Sequence, residues 1–130
     1  LREFGDNFGI AFQIIDDALD YSANPEKFGK NVGDDFREGK VTLPVIYAYE
    51  AADAEGKKFW KEIIEGGENS SAEALADASK RIRDSGAFER SVATAREYAE
   101  KAKKNLAGFK DSPIKSALLE VVDFCVNREF

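Results

Sequence analysis

Histidine is absent from this sequence of 130 residues, and cysteine occurs once, at Cys125. Without histidine, the chain cannot build a Ser-His or Cys-His nucleophilic site, or an imidazole-bound zinc or copper site. A single cysteine cannot form an internal disulfide, which fits a reducing cytoplasm, and we expect Cys125 to be buried in a helix. Any metal held by this chain therefore needs oxygen ligands, which favours magnesium, manganese or calcium.

Long apolar runs and strongly one-sided charge are also missing. No segment has the continuous apolar length of a membrane span, and no signal peptide is recognisable, so we expect a cytoplasmic protein without stable membrane insertion. The net charge is −6, with lysine and arginine scattered along the chain, so no nucleic-acid surface is predicted. The length corresponds to one domain or to part of one.

The first helix carries the most informative pattern. An apolar run from Phe4 to Ser22, ended by Asn24-Pro25, predicts one long helix. Its polar side falls within an arc of roughly 100°, formed by Asp6, Gly9, Gln13, Asp16, Asp17 and Asp20. The remaining arc is broad and apolar, so the helix is predicted to be mostly buried. Buried carboxylates are costly unless they are paired or bound to a cation, so this strip should face a wet cavity that holds cations.

Further helices are predicted along the rest of the chain, and no strand pattern competes with them. Thr42 should cap a helix that runs to about Ala54. A short helix ended by Gly66-Gly67 follows, with Phe59, Trp60, Ile63 and Ile64 on its inner side. The capping-box pair Ser70 and Glu73 should then open a helix that ends at Gly86. The predicted fold class is all-α, a helical bundle.

Two more helices complete the prediction. The clearest amphipathic helix has apolar residues at alternating spacings of four and three, at Phe88, Val92, Ala95, Ala99, Ala102 and Leu106. Ser112-Pro113 should open the last helix. One face of this last helix is predicted to be lined by Ile114, Leu118, Val121 and Cys125.

Asp16, Asp17 and Asp20 have the spacing D-D-x-x-D. Carboxylates at positions i and i+4 lie one above the other on a helix face, close enough to share a divalent ion and its waters. Magnesium keeps several waters and is typically held by one or two carboxylates plus substrate phosphates, so the strip suits a diphosphate ligand. Taken alone, the pattern also describes an ordinary solvated acidic face.

The surrounding residues decide between these two readings. Gly9, Phe12 and Gln13 precede the aspartates, and Gly29-Lys30, the segment Gly33 to Lys40 and Thr42-Leu43-Pro44 follow them. This ordered set resembles the second aspartate-rich motif and the following lysine loop of the trans-isoprenyl diphosphate synthases, the polyprenyl synthetase family. The resemblance is dense from about Gly5 to Pro44 and thinner afterwards. It implies the C-terminal portion of the isoprenoid synthase fold.

The resemblance also implies a reaction. In this family an allylic diphosphate is held by magnesium ions between two aspartate motifs on facing helices. Departure of the diphosphate leaves an allylic cation, which isopentenyl diphosphate attacks through its double bond before a proton is lost. The chemistry depends on electrostatic stabilisation of a departing anion in a dry cavity, and it needs no histidine.

The same resemblance assigns roles to individual residues. Asp16, Asp17, Asp20 and Asp35 match metal ligands or residues that hold the water shell of the metal, with Mg²⁺ as the implied cofactor and Mn²⁺ possible in its place. Gln13 matches a residue that hydrogen-bonds the diphosphate. Lys30 and Lys40 match the catalytic lysines that meet its oxygens as point charges. Phe12 is assigned to the product pocket. Competing readings are a helix-crossing role for Gln13, solvated-loop roles for the lysines, and Asp34 in place of Asp35.

The segment Asp34 to Lys40 and Thr42-Leu43-Pro44 look most like the bacterial long-chain members of the family, of the octaprenyl type, which make the tail of ubiquinone or menaquinone. No second D-D-x-x-D is present, and the helical pattern is already running at Leu1. We therefore expect residues 1–130 to be the C-terminal half of one polyprenyl synthetase domain, without prenyl transfer activity alone. We also expect a homo-oligomer, a homodimer in the intact enzyme, with Phe4, Phe8 or Phe12 in the interface of the isolated chain.

Three alternatives remain open at this point. A shorter-chain farnesyl or geranylgeranyl diphosphate synthase would share the same motif. A non-catalytic helical subunit of a synthase pair would share the fold, although such subunits often lose the aspartates that persist here. A terpene cyclase of related fold would ionise a similar substrate, but the lysine loop and Thr42-Leu43-Pro44 favour chain elongation.

Overall fold

The structure is a computed structural model that describes residues 1–21, 41–66 and 71–127. Six helices form in these ranges: α1 (Arg2–Leu19), α2 (Leu43–Ala51), α3 (Ala54–Gly66), α4 (Ala72–Asp84), α5 (Ala87–Leu106) and α6 (Pro113–Val126). The described residues contain no strand, and the all-α prediction is confirmed. None of the described helices is long and apolar enough to cross a bilayer.

The chain divides into two compact units. The first unit combines residues 1–15 with the residues from Val92 onward, and the second contains residues 16–91. Helix α1 therefore begins in the first unit and ends in the second. In the first unit Phe4 is buried and its ring centroid lies 5.7 Å from that of Phe8. A hydrogen bond of 2.8 Å between Asn7 and Asn105 joins α1 to α5.

The second unit is organised around Trp60, whose side chain is almost fully buried. Its core comprises Tyr21, Val45, Ala48, Trp60, Ile63, Leu75, Ala78, Ile82 and Ala87. Helix α2 contacts both α3 and α4. The corner between α2 and α3 is tight, because a β-carbon at Gly56 would lie only 2.8 Å from the β-carbon of Ala52. Asp53 Oδ1 accepts a hydrogen bond of 2.8 Å from the Gly56 N–H and so caps α3.

Helix α1 is less buried than the sequence predicts. Its inner side is covered as expected at Ala11, Ile15 and Ala18, which are at most 1% exposed. Ile10 and Phe12 belong to the same broad apolar arc, yet they are 41% and 50% exposed. The arc is wider than the surface that the neighbouring helices of this chain can cover, so its two edges reach solvent.

The helix starts confirm some predictions and correct others. Ser112 Oγ accepts from the Lys115 N–H at 3.1 Å, so Ser112-Pro113 opens α6 as predicted. The capping prediction for Ser70 is wrong, because Ser71 occupies the N-cap and accepts from the Ala74 N–H. Ser70 itself lies outside the described residues. Two adjacent serines allow this one-residue shift, which leaves Glu73 in the first turn, where the helix dipole favours an acid.

The start of α2, the end of α2 and the end of α4 also differ in detail from the prediction. Thr42 occupies the N-cap position of α2, but its hydroxyl makes no capping hydrogen bond. The same helix ends at Ala51 rather than near Ala54, because Ala52 adopts an extended conformation. Gly86 follows α4 with a φ of +79°, a conformation that disfavours residues with a β-carbon. Helix α4 therefore ends at Asp84, just before the predicted glycine.

The predicted inner faces of α5 and α6 differ in how well they agree with the structure. In α5 the predicted inner face is confirmed, since Val92, Ala95, Ala99, Ala102 and Leu106 are all buried and Phe88 is partly buried. In α6 the predicted inner face is wrong. Val122 and Val126 are the buried residues, whereas Ile114 is 75% and Val121 45% exposed, and Cys125 is half-buried. Helix α6 is apolar on most of its circumference, so spacing alone could not select the buried side.

Candidate functional site

The three aspartates lie in the last turn of α1 and just beyond it. Asp16 and Asp17 are half-buried, and Asp20 is fully buried. The Asp20 N–H donates to Asp17 O at 3.3 Å and the Tyr21 N–H donates to Ala18 O at 3.0 Å. These hydrogen bonds, each between residues three positions apart, tighten the end of α1.

The electrostatics of this helix end favour a cation. The C-terminal end of a helix carries a partial negative charge, because its last carbonyl groups have no intrahelical partner. Three carboxylates lie at this end, those of Asp16 and Asp17 in the last turn of α1 and that of Asp20 just beyond it, and the last turn contains no basic residue. The last turn of α1 therefore supplies no positive charge to offset the carboxylates.

The donor set is compatible with a magnesium site to which α1 contributes only part. Within the ranges that the structure describes, no three or more acidic, histidine or cysteine side chains converge on one point suited to a metal ion. Magnesium is usually held by one or two carboxylates together with water and substrate phosphates. The half-buried Asp16 and Asp17 offer such oxygen ligands, and they are accessible in a way that the enclosed Asp20 is not.

Gln13 and Phe12 lie one turn before the aspartates on α1. Gln13 is exposed and precedes Asp16 by three residues and Asp17 by four, a spacing that brings side chains together on a helix. Phe12 is half-exposed and lies one turn before Asp16.

The other predicted site residues, Lys30, Asp35 and Lys40, lie outside the described residues, as does Asp34. Their assignments stay predictions. The nearest described residue after this segment with a buried side chain is Thr42, which is 8% exposed. Among the residues that the structure describes, none makes a hydrogen bond with the Thr42 hydroxyl.

Two cavities were not predicted from the sequence. One, of about 310 Å³, lies in the second unit between α2, α3 and α4 and is lined by Gly56, Trp60, Arg81 and Asp84 among others. The guanidinium of Arg81 stacks on the Phe59 ring at 4.1 Å. The other, of about 350 Å³, lies in the first unit and is mainly apolar, with Leu106, Phe109, Ile114 and Leu118 in its walls. The residues that line each cavity come from separate parts of the chain, so no local sequence motif predicts either cavity.

Comparison with known proteins identifies the family to which this chain and its fold belong. Residues 1–82 match the family described as Polyprenyl synthetase. This match covers more than half of the chain, and the chain belongs to the polyprenyl synthetase family.

Particular members of the family are similar over the whole chain. Octaprenyl diphosphate synthase of Haemophilus influenzae is 35% identical over 130 residues, which are 100% of this chain and 39% of that protein. The crystal structure of a polyprenyl synthase from Caulobacter crescentus, complexed with calcium and isoprenyl diphosphate, has 42% identity and a TM-score of 0.87, with 98% of this chain and 38% of that chain covered. A decaprenyl diphosphate synthase from Rhodobacter capsulatus has 40% identity and a TM-score of 0.86, over 98% and 39% of the two chains. The chain thus spans about two fifths of the length of these relatives.

Proposed function

We propose that this chain is the C-terminal part of a long-chain all-trans polyprenyl diphosphate synthase of the octaprenyl type. The observation that carries the proposal is the strip of Asp16, Asp17 and Asp20 at the C-terminal end of α1 in a member of the polyprenyl synthetase family. The names of the similar octaprenyl and decaprenyl diphosphate synthases support a long product. We also propose a cytoplasmic location and a role in making a quinone side chain.

The proposed substrates are an allylic diphosphate and isopentenyl diphosphate. The C–O bond to the allylic diphosphate breaks, and the diphosphate leaves with the bonding electron pair. The double bond of isopentenyl diphosphate then attacks the allylic cation and forms a new C–C bond. Loss of a proton from the resulting cation restores a double bond and leaves a product longer by five carbons. Each step conserves charge and requires no oxidant or reductant.

The residues of this chain bind and stabilise the departing anion. Asp16 and Asp17, with Asp20 behind them, attract the cations that accompany the diphosphate, and Gln13 donates an amide hydrogen to its oxygens or to its water shell. Lys30 and Lys40 bring positive charge to the leaving group, and Asp35 orients water near the cation. Magnesium, or manganese in its place, supplies electrostatic stabilisation of the leaving diphosphate when bound.

The similar protein from Caulobacter supports the binding part of the proposal. Its structure is described as a complex with calcium and isoprenyl diphosphate, and it is 42% identical to this chain. A divalent cation and an isoprenyl diphosphate together match the chemistry proposed for the α1 strip. Phe12 is proposed to contact the growing hydrocarbon chain, since the residue is 50% exposed one turn before Asp16.

A chimeric enzyme tests this proposal. The matching part of the Haemophilus influenzae octaprenyl diphosphate synthase, 39% of its length, is replaced by this chain. We expect Mg²⁺-dependent conversion of isopentenyl diphosphate and farnesyl diphosphate into a long polyprenyl diphosphate, and chromatography of the product gives its length. A chimera that folds like the parent enzyme but makes no product would contradict the proposal. We expect the chain alone to be inactive, because the facing aspartate motif is not in it.

A further inference from the structure

The end of α1 is coupled to the two residues that follow it. The Asp20 N–H donates to the carbonyl oxygen of Asp17 at 3.3 Å, and the Tyr21 N–H donates to that of Ala18 at 3.0 Å. Because each of these bonds spans only three residues, they form a tight turn. The backbone of the last turn of α1 is therefore held directly by Asp20 and Tyr21, which lie just outside the helix.

Tyr21 has the largest side chain at this end of α1, and that side chain is packed inside the second unit. The residue is 1% exposed. The core to which it belongs also contains residues of α2, α3 and α4, among them Val45, Trp60 and Ile82. Among the described residues of that core, Tyr21 is the member that comes before α2 in the sequence. Tyr21 therefore joins the end of α1 to the core formed by α2, α3 and α4.

Other residues near the end of α1 are buried without belonging to this core. Ile15 and Ala18 are 0% exposed, and Leu19 is 4% exposed. They cover the inner side of α1, but they are not members of the core around Trp60. Among these described residues, the link to that core is made by Tyr21.

Carboxylates that bind a cation depend on such a link. They must be held within about 0.5 Å of their productive positions by packing beneath them. A misplacement of about 1 Å in a reacting group can cost on the order of 100-fold in rate. Asp17 precedes Tyr21 by only four residues, and its carbonyl oxygen accepts the hydrogen bond from Asp20. A shift of Tyr21 would thus be passed through one short turn of backbone to the aspartates.

We propose that Tyr21 is the positioning residue of the aspartate strip, which consists of Asp16, Asp17 and Asp20. Its buried side chain anchors the turn after α1 in the core of the second unit, and this anchor sets the rotation and the position of the carboxylates that attract the cation. Tyr21 acts through the strip and does not itself contact the cation or the diphosphate. The proposal rests on the function proposed above for the strip, whereas the anchor itself is a property of the fold.

Amide hydrogen exchange on the whole chain, measured by NMR, tests the anchor without any assay of activity. The ends of helices usually fray and exchange fast, whereas residues packed in a core exchange only in larger openings. We expect the amides of Asp20 and Tyr21 to be protected to within about tenfold of the amide of Ile82. Tyr21→Leu should lower the protection of these two positions by roughly tenfold more than it lowers that of Ile82.

Two variants provide matched controls. Ile82→Ala removes a similar volume from the same core, but on α4. It should lower protection throughout the second unit without singling out positions 20 and 21. Tyr21→Phe keeps the ring that fills the core, so it should keep the protection of the turn close to that of the wild type.

Kinetics of the chimeric synthase test the consequence for the cation. Tyr21→Leu should raise the Mg²⁺ concentration for half-maximal turnover by about tenfold or more, because the carboxylates are no longer held in place. Tyr21→Phe and Ile82→Ala should leave this concentration within about twofold of the wild type, even though Ile82→Ala lowers the melting temperature. A purely structural role of Tyr21 would lower the melting temperature of Tyr21→Leu and leave its Mg²⁺ requirement unchanged.

Fast exchange of the Asp20 and Tyr21 amides in the wild-type chain would overturn the proposal, and this result does not depend on the folding of any variant. Equal losses of protection in Tyr21→Leu and Ile82→Ala would also overturn it, as would a Tyr21→Leu chimera with the Mg²⁺ requirement of the wild type. A wild-type chimera that makes no product would instead contradict the proposed function. The exchange data would then still decide whether Tyr21 anchors the turn.

Discussion

Lys103 Nζ donates to Asp123 Oδ1 at 2.9 Å and thereby joins α5 to α6. A second hydrogen bond of 3.3 Å runs from the same ammonium to Glu100 Oε1 on α5. The hydrogen bond with Asp123, followed by that with Glu100, raises the pKa of Lys103 above its ordinary value of 10.5. The pair helps to fix the rotation of α6 about its axis.

The raised pKa of Lys103 predicts a loss of stability in alkaline solution. The folded state holds the proton more tightly than the unfolded chain, so the contribution is fully present below pH 10.5 and is lost as the pH rises through the raised pKa. We expect Lys103→Met to flatten the decline of the melting temperature in this alkaline window. Lys104→Met is the control, since Lys104 is exposed on the same helix. Identical alkaline slopes for wild type and Lys103→Met would contradict the prediction.

Asp16→Ala, introduced into the chimeric synthase, should lower turnover by several orders of magnitude. The substitution removes ligand charge at the place where the leaving group departs. Asp20→Ala should lower turnover less, but it should also lower the melting temperature, because Asp20 is fully buried. Asp6→Ala is the control, as Asp6 is exposed on the same helix. Steady-state kinetics with magnesium measure the effect, and near-normal turnover of Asp16→Ala would refute a metal site on this strip.

Lys30→Ala and Lys40→Ala should each weaken diphosphate binding or ionisation without changing the melting temperature. Both lysines lie in a polar, glycine-punctuated segment of the sequence, where side chains can be removed at little cost to folding. The Michaelis constants and turnover numbers of the chimeric enzyme, measured beside thermal melts, separate the two effects. Unchanged kinetics in both variants would mean that these lysines belong to a solvated loop and do not act on the diphosphate.

Two glycine substitutions should change stability in opposite directions. Gly5 lies within α1, and a β-carbon there would meet no atom within 4 Å, so Gly5→Ala should stabilise the fold by about 1 kcal/mol. Gly86 has a φ of +79°, so Gly86→Ala should destabilise it by about 1 to 2 kcal/mol. Urea unfolding followed by circular dichroism measures both changes. A stabilising Gly86→Ala would mean that the backbone at this turn relaxes at no cost.

The sequence was sufficient to predict the buried face of α5 but not that of α6, and the reason is physical. In α5 the apolar residues are confined to one side by charged neighbours, so the spacing of Val92, Ala95 and Ala99 selects a single buried face. Helix α6 is apolar on nearly all sides, and its rotation depends on long-range contacts. One of them is the Lys103–Asp123 pair, and another is the hydrogen bond of 3.2 Å from Arg96 Nε to Val126 O. Such contacts join residues 20 to 30 positions apart and leave no local periodic signal.

The candidate site was also predictable only in part. The D-D-x-x-D spacing predicts three aspartates on one helix, whereas the structure has Asp16 and Asp17 in the last turn of α1 and Asp20 just beyond its end. The spacing did not predict that Asp16 and Asp17 are half-buried while Asp20 is fully buried, because this difference in burial depends on where α1 ends. Helix ends are set by a few hydrogen bonds, such as those donated by Asp20 and Tyr21, and these have weak sequence signals.

The tight corner at Gly56 has a mechanical consequence for α2 and α3. Close contacts between long side chains can be relieved by a change of rotamer, but a β-carbon is fixed directly to the backbone. At Gly56 a β-carbon would meet that of Ala52 at 2.8 Å, so even the smallest side chain would force the two backbones apart. The angle between α2 and α3 is therefore sensitive to any side chain added at Gly56.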